Sequence, residues 1–476
     1  MKIKNTLCLA AAFAMALGFT ASTQTTAAEK INVLVVDSGS DFTHKTLKPA
    51  ANPNKAELNG KAKADDDKNG YVDDVYGWNF VENNNVLVNL EDTPPDYDTV
   101  LKVMEYINRM QQSGKEDFTQ EEWEWLVKHY NDKELSPWVA FVGGWAHGTH
   151  CAGIIAQDNK AVQLNAIRHI PTGSAPQSLI KKAFEAIKFK LAQRINTKAA
   201  VTREEIEKYF DELGKSYAAE VTEKAEYIGS LKPRLINCSF GSPNQNLLQM
   251  MKRNALQWGL GNLSGQELQD LVNLFVTKAF LPRDKALFSK CKDALIFIAA
   301  GNSSEDLDGF VNSPGSVPID NKIVIAATDR DLKLADFSCY GGKNVDVAVP
   351  GVKIFATYPN QKMGYMSGTS MACPNALRMA SMVLEANPNL TPVELKKILM
   401  NTVDKKDWLK GKVKSGGVIN VERAIEAAKA RATGLSITEA CKSANKVIAD
   451  KVIRSPKTKV DLNDPQVRKI YFENVF

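Results

Sequence analysis

The chain has 476 residues, of which 44% are hydrophobic and 24% charged, and a formal net charge of +5. That is enough apolar chain for one large core or two to three ordinary domains, and it excludes a disordered or fibrous protein. The charges are spread along the chain with no dense Lys/Arg block interleaved with aromatics, so no nucleic-acid partner is expected.

Residues 1–28 read as a secretory signal peptide. Met1-Lys2-Ile3-Lys4 is basic, an apolar run extends from Leu7 to Phe19, and Thr26-Ala27-Ala28 supplies small residues for a cut. The run is too short to span a bilayer, and no later segment is apolar enough. The expectation is an exported protein, periplasmic or extracellular, with no stable membrane span once the leader is removed. Cys8 leaves with the leader. Cys151, Cys238, Cys291, Cys339, Cys373 and Cys441 remain. Their even number permits a disulfide framework, but most sit in apolar stretches, and buried free thiols are expected. The absence of a CxxC pair speaks against a zinc or redox motif.

Short apolar runs at 31–36, 235–239, 295–300, 323–328 and 345–349 predict strands buried on both faces, as in a parallel sheet. Helical patterns at 151–156, 178–192, 203–213, 371–386, 392–402 and 421–432 lie between and after them. Alternation of this kind predicts an α/β fold with helices on both faces of a mostly parallel sheet, and its sites are expected at the carboxyl ends of the strands. Three stretches, near 91–140, 176–232 and 244–290, read as additions to a domain over 29–432. The extension 433–476 has no role legible in its residues.

Chemistry-bearing residues cluster in four places. The first strand ends in Val36-Asp37-Ser38-Gly39, either a turn-forming aspartate or a rigidly held functional carboxylate. His147-Gly148-Thr149-His150 opens an apolar helix and brings two of the five histidines together. A metal pair is not supported, for no partner ligand has the right spacing. Ala299-Ala300-Gly301-Asn302 follows a strand. In Ser367-Gly368-Thr369-Ser370-Met371-Ala372 a small-residue loop enters a long helix. Ser370 is there either an N-cap or a nucleophile beside backbone N–H groups and the positive helix end. Pro374 suits an early helical turn. The pattern is not GxSxG.

Asp-Ser-Gly, His-Gly-Thr-His and Gly-Thr-Ser-Met-Ala, in that order, resemble the subtilisin family of serine peptidases (the subtilases). Asp41, His44 and Leu47, Ile236 to Gly241, Ala299 to Asn302 and Gly416 to Asn420 extend the resemblance over most of 29–430. It implies a subtilisin-like three-layer fold and a serine endopeptidase acting on proteins or peptides. Asp37, His147 and Ser370 would form the triad, with Asn302 as oxyanion donor. Ser239, Phe240 and Gly241 would align substrate, with Ala299, Ala300 and Gly301 as the opposite wall. His150 would be structural. The alternative is a catalytically silent peptide-binding protein of the same fold. The chain departs from the family pattern at Cys373 to Arg378, where Arg378 stands in place of a small residue. The family's propeptide has no room between the expected cut and Asp37.

Two acidic stretches complete the reading. Asp65, Asp67, Asn69 and Asp73 alternate around Gly70 like half of a calcium loop, though Tyr76 stands where an EF-hand carries Glu. The candidates are a calcium site and a solvated turn, and no organic cofactor is expected. Glu305, Asp306 and Asp308 follow the Asn302 segment and either bias a pocket toward basic groups or form an ordinary acidic loop.

Overall fold

The structure is a computed structural model and describes residues 29–172, 201–451, 460–473 and 475. The expected leader and the predicted helix over 178–192 lie outside the described residues.

The strands are β1 (Ile31–Asp37), β2 (Val162–Arg168), β3 (Leu235–Cys238), β4 (Leu295–Ala299), β5 (Lys322–Thr328), β6 (Val347–Pro350), β7 (Ile354–Tyr358), β8 (Lys362–Met366), β9 (Asp404–Lys405) and β10 (Gly417–Val418). Eight form one sheet in the order β2-β1-β3-β4-β5-β6-β10-β9, while β7 and β8 form a separate antiparallel pair. Pairing within the large sheet is parallel except between β9 and β10.

Period-two alternation divides the strands between two cores. Val33, Val35, Leu235, Phe297, Ile325 and Val347 face one. Leu34, Val36, Ile236, Ile298, Val324 and Ala348 face the other. Both faces are therefore covered, which is why these strands read as apolar runs interrupted only at Asn32 and Asn237.

β2 escaped the sequence reading because Gln163 and Asn165 interrupt its apolar pattern. The structure accommodates them at the sheet edge. Asn165 exchanges hydrogen bonds with Asn52, accepting at 2.9 Å from its Nδ2 and donating to its carbonyl at 2.8 Å. The backbone N–H groups of Ala166 and Arg168 are taken by the carbonyls of Tyr76 and Trp78, so the edge is not left open.

The helices are α1 (Lys55–Asn59), α2 (Tyr97–Ser113), α3 (Gln120–Tyr130), α4 (Ser136–Ala156), α5 (Arg203–Glu220), α6 (Thr222–Ser230), α7 (Asn244–Gln257), α8 (Gly265–Phe275), α9 (Leu281–Leu287), α10 (Thr369–Ala386), α11 (Pro392–Asn401), α12 (Val421–Ala432), α13 (Ile437–Val447) and α14 (Pro465–Glu473). Among those on the first core are α2, α4, α10 and α12, joined by α13 and α14 of the C-terminal extension. Tyr227 and Ile228 of α6 and Leu287 of α9 cover the second. The result is a three-layer α/β architecture.

The parts read as insertions differ in how they pack. The one near 91–140 supplies α2 and α3 to the main core through Val100, Met104, Ile107, Trp123 and Leu126. Most of the third and the first described helix of the second build a helical cluster of their own around Phe210, Met251, Trp258, Phe275 and Phe280, while α6 and the end of α9 pack on the second sheet core.

Candidate active site

β1 delivers Asp37 to the end of the sheet, fully buried. Its Oδ1 accepts the Ser38 N–H at 2.7 Å and lies 2.7 Å from His147 Nδ1. Its Oδ2 has no hydrogen-bond partner among the described residues. Ser38 Oγ accepts the Gly148 N–H at 3.0 Å and Ser40 Oγ donates to the Gly148 carbonyl at 3.1 Å. The Asp41 N–H donates to Thr149 Oγ1 at 3.1 Å. The turn after β1 is thus latched onto α4 at the two residues that follow His147.

α4 does not begin at His147, as the sequence suggested. It begins at Ser136, about three turns earlier, because Ser-Pro-Trp-Val-Ala-Phe-Val continues the apolar helical pattern toward the N-terminus. His147 therefore sits in mid-helix, and Gly144 on the preceding turn reaches the same cavity. Two glycines let α4 enter this crowded position. A Cβ on Gly148 would lie 2.2 Å from the Gly39 carbonyl oxygen, and one on Gly153 2.2 Å from Thr357 Oγ1 on β7.

Burial is the strongest single influence and disfavours a charged His147, but the Asp37 charge, the hydrogen bond to it and Cys151 together outweigh it and hold the His147 pKa well above the usual histidine value. His150 behaves oppositely. Burial pushes it down to about 3, and its Nε2–H is shared by the carbonyls of Ile354 and Gly364 at 3.1 and 3.3 Å. It fastens α4 to β7 and β8.

Ser370 lies in the first turn of α10, where backbone N–H groups have no intrahelical partner. Its hydroxyl donates to the Ser239 carbonyl at 3.2 Å. Pro374 falls inside α10 rather than in its first turn. It withholds the N–H that would have reached the Ser370 carbonyl four residues back. Ser239 Oγ replaces it at 2.9 Å, with Cys151 Sγ at 3.4 Å. Ser239 thus grips Ser370 at both its hydroxyl and its carbonyl, a role no sequence signal announced. Arg378 is accommodated as well, for its Nε donates to the Gln157 carbonyl at the end of α4, a favourable place for a cation.

After β4, Asn302 Oδ1 accepts from the Thr369 N–H at 2.9 Å and from Thr369 Oγ1 at 2.8 Å. Thr369 Oγ1 also accepts the Gly301 N–H at 3.1 Å. With Oδ1 so engaged, Nδ2 is the end of the amide left to donate. One cavity of about 450 Å³ is lined by Asp37, His147, Ser370 and Asn302, by Ser239, Phe240 and Gly241, and by Ala299, Ala300 and Gly301. Four separate strand ends meet there. A hydroxyl, an imidazole paired to a buried carboxylate, and free N–H donors together can move a proton off the hydroxyl and stabilise a developing oxyanion.

Several wall residues had no local signal, among them Leu307, Phe310, Cys339 and Val475. Val475 belongs to the C-terminal extension. α14 is anchored by Gln111 Nε2 donating to the Tyr471 carbonyl at 2.9 Å and by Tyr130 Oη on Glu473 at 2.5 Å.

The acidic loop is not part of this cavity. Asp65 and Asp67 converge there with the buried Glu57, their carboxylate oxygens within 4.8 Å of one another. Glu57 carried no signal in the loop pattern. All of these groups accept hydrogen bonds in and around the loop: Glu57 Oε1 from the Asp66 and Asp67 N–H, Asp65 from the Asn69 and Gly70 N–H, Asp67 from Asn54 and Asn69, Asn69 Oδ1 from the Tyr71 N–H, and Asp73 Oδ2 from the Lys63 N–H. The six cysteines in the described residues are free and buried, as expected.

Residues 28–420 match the model of the subtilase family, and the chain belongs to that family. It is similar to Subtilisin-like protease 1 of Plasmodium vivax, 26% identical over 401 residues covering 83% of this chain and 47% of that protein. It is also similar to Subtilisin-like protease 3 of Plasmodium falciparum (isolate 3D7), 28% identical over 295 residues covering 61% and 32%. The chain thus spans about half or less of the length of these curated relatives. Among solved structures, a cold adapted subtilisin-like serine proteinase aligns at 16% identity and a TM-score of 0.41, covering 82% of this chain and 87% of that one. No helix among the described residues is long and apolar enough to cross a membrane.

Proposed function

We propose that this subtilase is an exported serine endopeptidase that cleaves peptide bonds through an acyl-enzyme on Ser370. The observation that carries the proposal is the 2.7 Å pairing of His147 Nδ1 with buried Asp37, on the wall of the cavity that also holds Ser370 and Asn302. Ser370 exchanges its bond to Ser239 for one to His147 Nε2 and attacks the substrate carbonyl as His147 takes its proton. Asp37 keeps the proton of the resting imidazole on Nδ1 and stabilises the imidazolium. Asn302 Nδ2 and the Ser370 N–H hold the oxyanion. His147 returns the proton to the leaving amine, and water, activated by His147 in turn, releases the acyl group. An extended substrate lies along Ser239 to Gly241 by strand addition, with Ala299 to Gly301 opposite.

The test is casein hydrolysis by residues 29–476 beside Ser370→Ala. Activity that vanishes in the variant is the expected result. A folded parent as inert as the variant returns the protein to the peptide-binding alternative.

We also propose that the acidic loop binds calcium. Its support is the convergence of hard carboxylate oxygens from Glu57, Asp65 and Asp67, the donor type this cation takes. Calcium there would crosslink the loop to α1 and has no step in the chemistry.

A further inference from the structure

The three acidic residues after Asn302 share a loop but not a surface. Asp308 is consumed by the backbone N–H groups of Lys343 and Asn344, at 3.1 and 3.0 Å from its Oδ1. Asp306 Oδ1 accepts the Asp308 N–H at 3.0 Å. Neither lines the catalytic cavity, but Glu305 does. Its backbone is pinned: its carbonyl accepts the Tyr340 N–H at 3.0 Å, and on either side Ser304 N–H donates to Phe337 and Leu307 N–H to Tyr340. One carboxylate oxygen accepts from Ser303 Oγ. The other has no partner among the described residues.

The charge inventory of the cavity is short. Among the described lining residues the ionisable carboxylates and bases are Asp37, His147 and Glu305, with no lysine or arginine. Asp37 and His147 engage each other, so Glu305 is left as an uncompensated negative charge in a recess walled by low-dielectric side chains. Such a recess focuses field and attracts a cation. Leu307 and Phe310 beside it offer apolar surface that a long aliphatic stem can cover while its charged head reaches the carboxylate. A volume of about 450 Å³ is within the range that holds a bound side chain and its neighbours.

We propose that Glu305 is the specificity-determining residue of the substrate cavity and selects peptides with lysine or arginine at the position preceding the cleaved bond. The selection rests on the endopeptidase reading above, and it explains why one acid of the loop is turned inward while its neighbours are spent on backbone groups.

The experiment compares peptides that differ only at that position, carrying Arg, Lys, Gln, Leu or Phe, with the parent protein and with Glu305→Gln and Glu305→Asp. The parent is expected to favour Arg and Lys over Gln and Leu at least tenfold in kcat/KM. Glu305→Gln should reduce that ratio at least tenfold, and Glu305→Asp should retain part of it, which a purely structural role would not produce. A parent that prefers Leu or Phe, or a ratio unmoved by Glu305→Gln, overturns the proposal. The same peptides, cut short after the varied residue, are titrated calorimetrically against Ser370→Ala with and without Glu305→Gln. Tighter binding of the Arg peptide that disappears with Glu305→Gln upholds the subsite even if the parent hydrolyses nothing. Equal affinity for Arg and Leu peptides sinks it, whatever the outcome for catalysis.

Discussion

At the scale of single residues, the Asp37–His147 contact sets the pH behaviour. His147 must be neutral to accept a proton, and its pKa is raised because the Asp37 charge and hydrogen bond, with Cys151, together outweigh burial. The active fraction therefore grows as pH rises, and kcat/KM should climb through a midpoint above the ordinary histidine value of about 6.5. Asp37→Asn removes the attraction and leaves the burial. The midpoint should move down and kcat fall by on the order of 10⁴. A pH–rate profile of both proteins checks this, and an unmoved midpoint contradicts it. Asn302→Ala removes the Nδ2 donor. A loss of about 10²–10³ in kcat with little change in KM is expected, the size established for the oxyanion asparagine of a member of this family. The candidate triad, Asn302 and the two candidate substrate walls could be singled out in the sequence because each lies in a short contiguous motif. Leu307, Phe310 and Cys339 were not, since a cavity wall requires only that a side chain arrive there.

At the scale of elements, α4 carries the site. Its glycines at 148 and 153 pass within contact distance of the turn after β1 and of β7. Gly148→Ala would press a methyl group into the Gly39 carbonyl and against Asp37. It should cost about 1–3 kcal/mol in urea unfolding and lower kcat at least tenfold by displacing His147 from Asp37. Wild-type stability and activity would mean that α4 is free to shift. The strands were easier to read than the helix starts. β1 and β4 are apolar runs, interrupted only at Asn32, because both of their faces are covered, whereas the beginning of α4 was hidden by a pattern that is apolar on all sides and has no side-chain cap at Leu135. β2 was hidden because its polar residues are satisfied by residues whose approach only the fold reveals, Asn165 by Asn52 and Gln163 by Asn32. Pro374 is tolerated beyond the first turn of α10 because the carbonyl it frees is satisfied by Ser239, just after β3.

At the scale of the whole molecule, stability is shared among two sheet faces, a helical cluster and the acidic loop. Calcium binding to Glu57, Asp65 and Asp67 in the folded state alone would stabilise the protein by about 2.7 kcal/mol at a concentration a hundred times the Kd. Thermal unfolding should shift upward by several degrees with calcium, downward with a chelator, and respond less in Asp67→Asn. An unchanged Tm across all these conditions removes the site. The C-terminal extension belongs to this scale too. Nothing in its residues suggests a function, yet α14 packs beside α2 and Val475 lines the cavity of Asp37, His147 and Ser370.

The sequence by itself determined the α/β class, most of the central strands and the identity of the candidate catalytic residues. Apolar periodicity and short motifs are local properties, and burial on both faces of a parallel sheet writes itself directly into the chain. Tertiary structure decided the rest: that Ser239 holds Ser370 at two points, that one acid of three lines the cavity, that Glu57 joins the acidic loop, and that Val475 of the C-terminal extension reaches the cavity. These depend on which distant surfaces meet, and the energy of such a meeting is shared among residues far apart in the chain, none of which carries its mark alone.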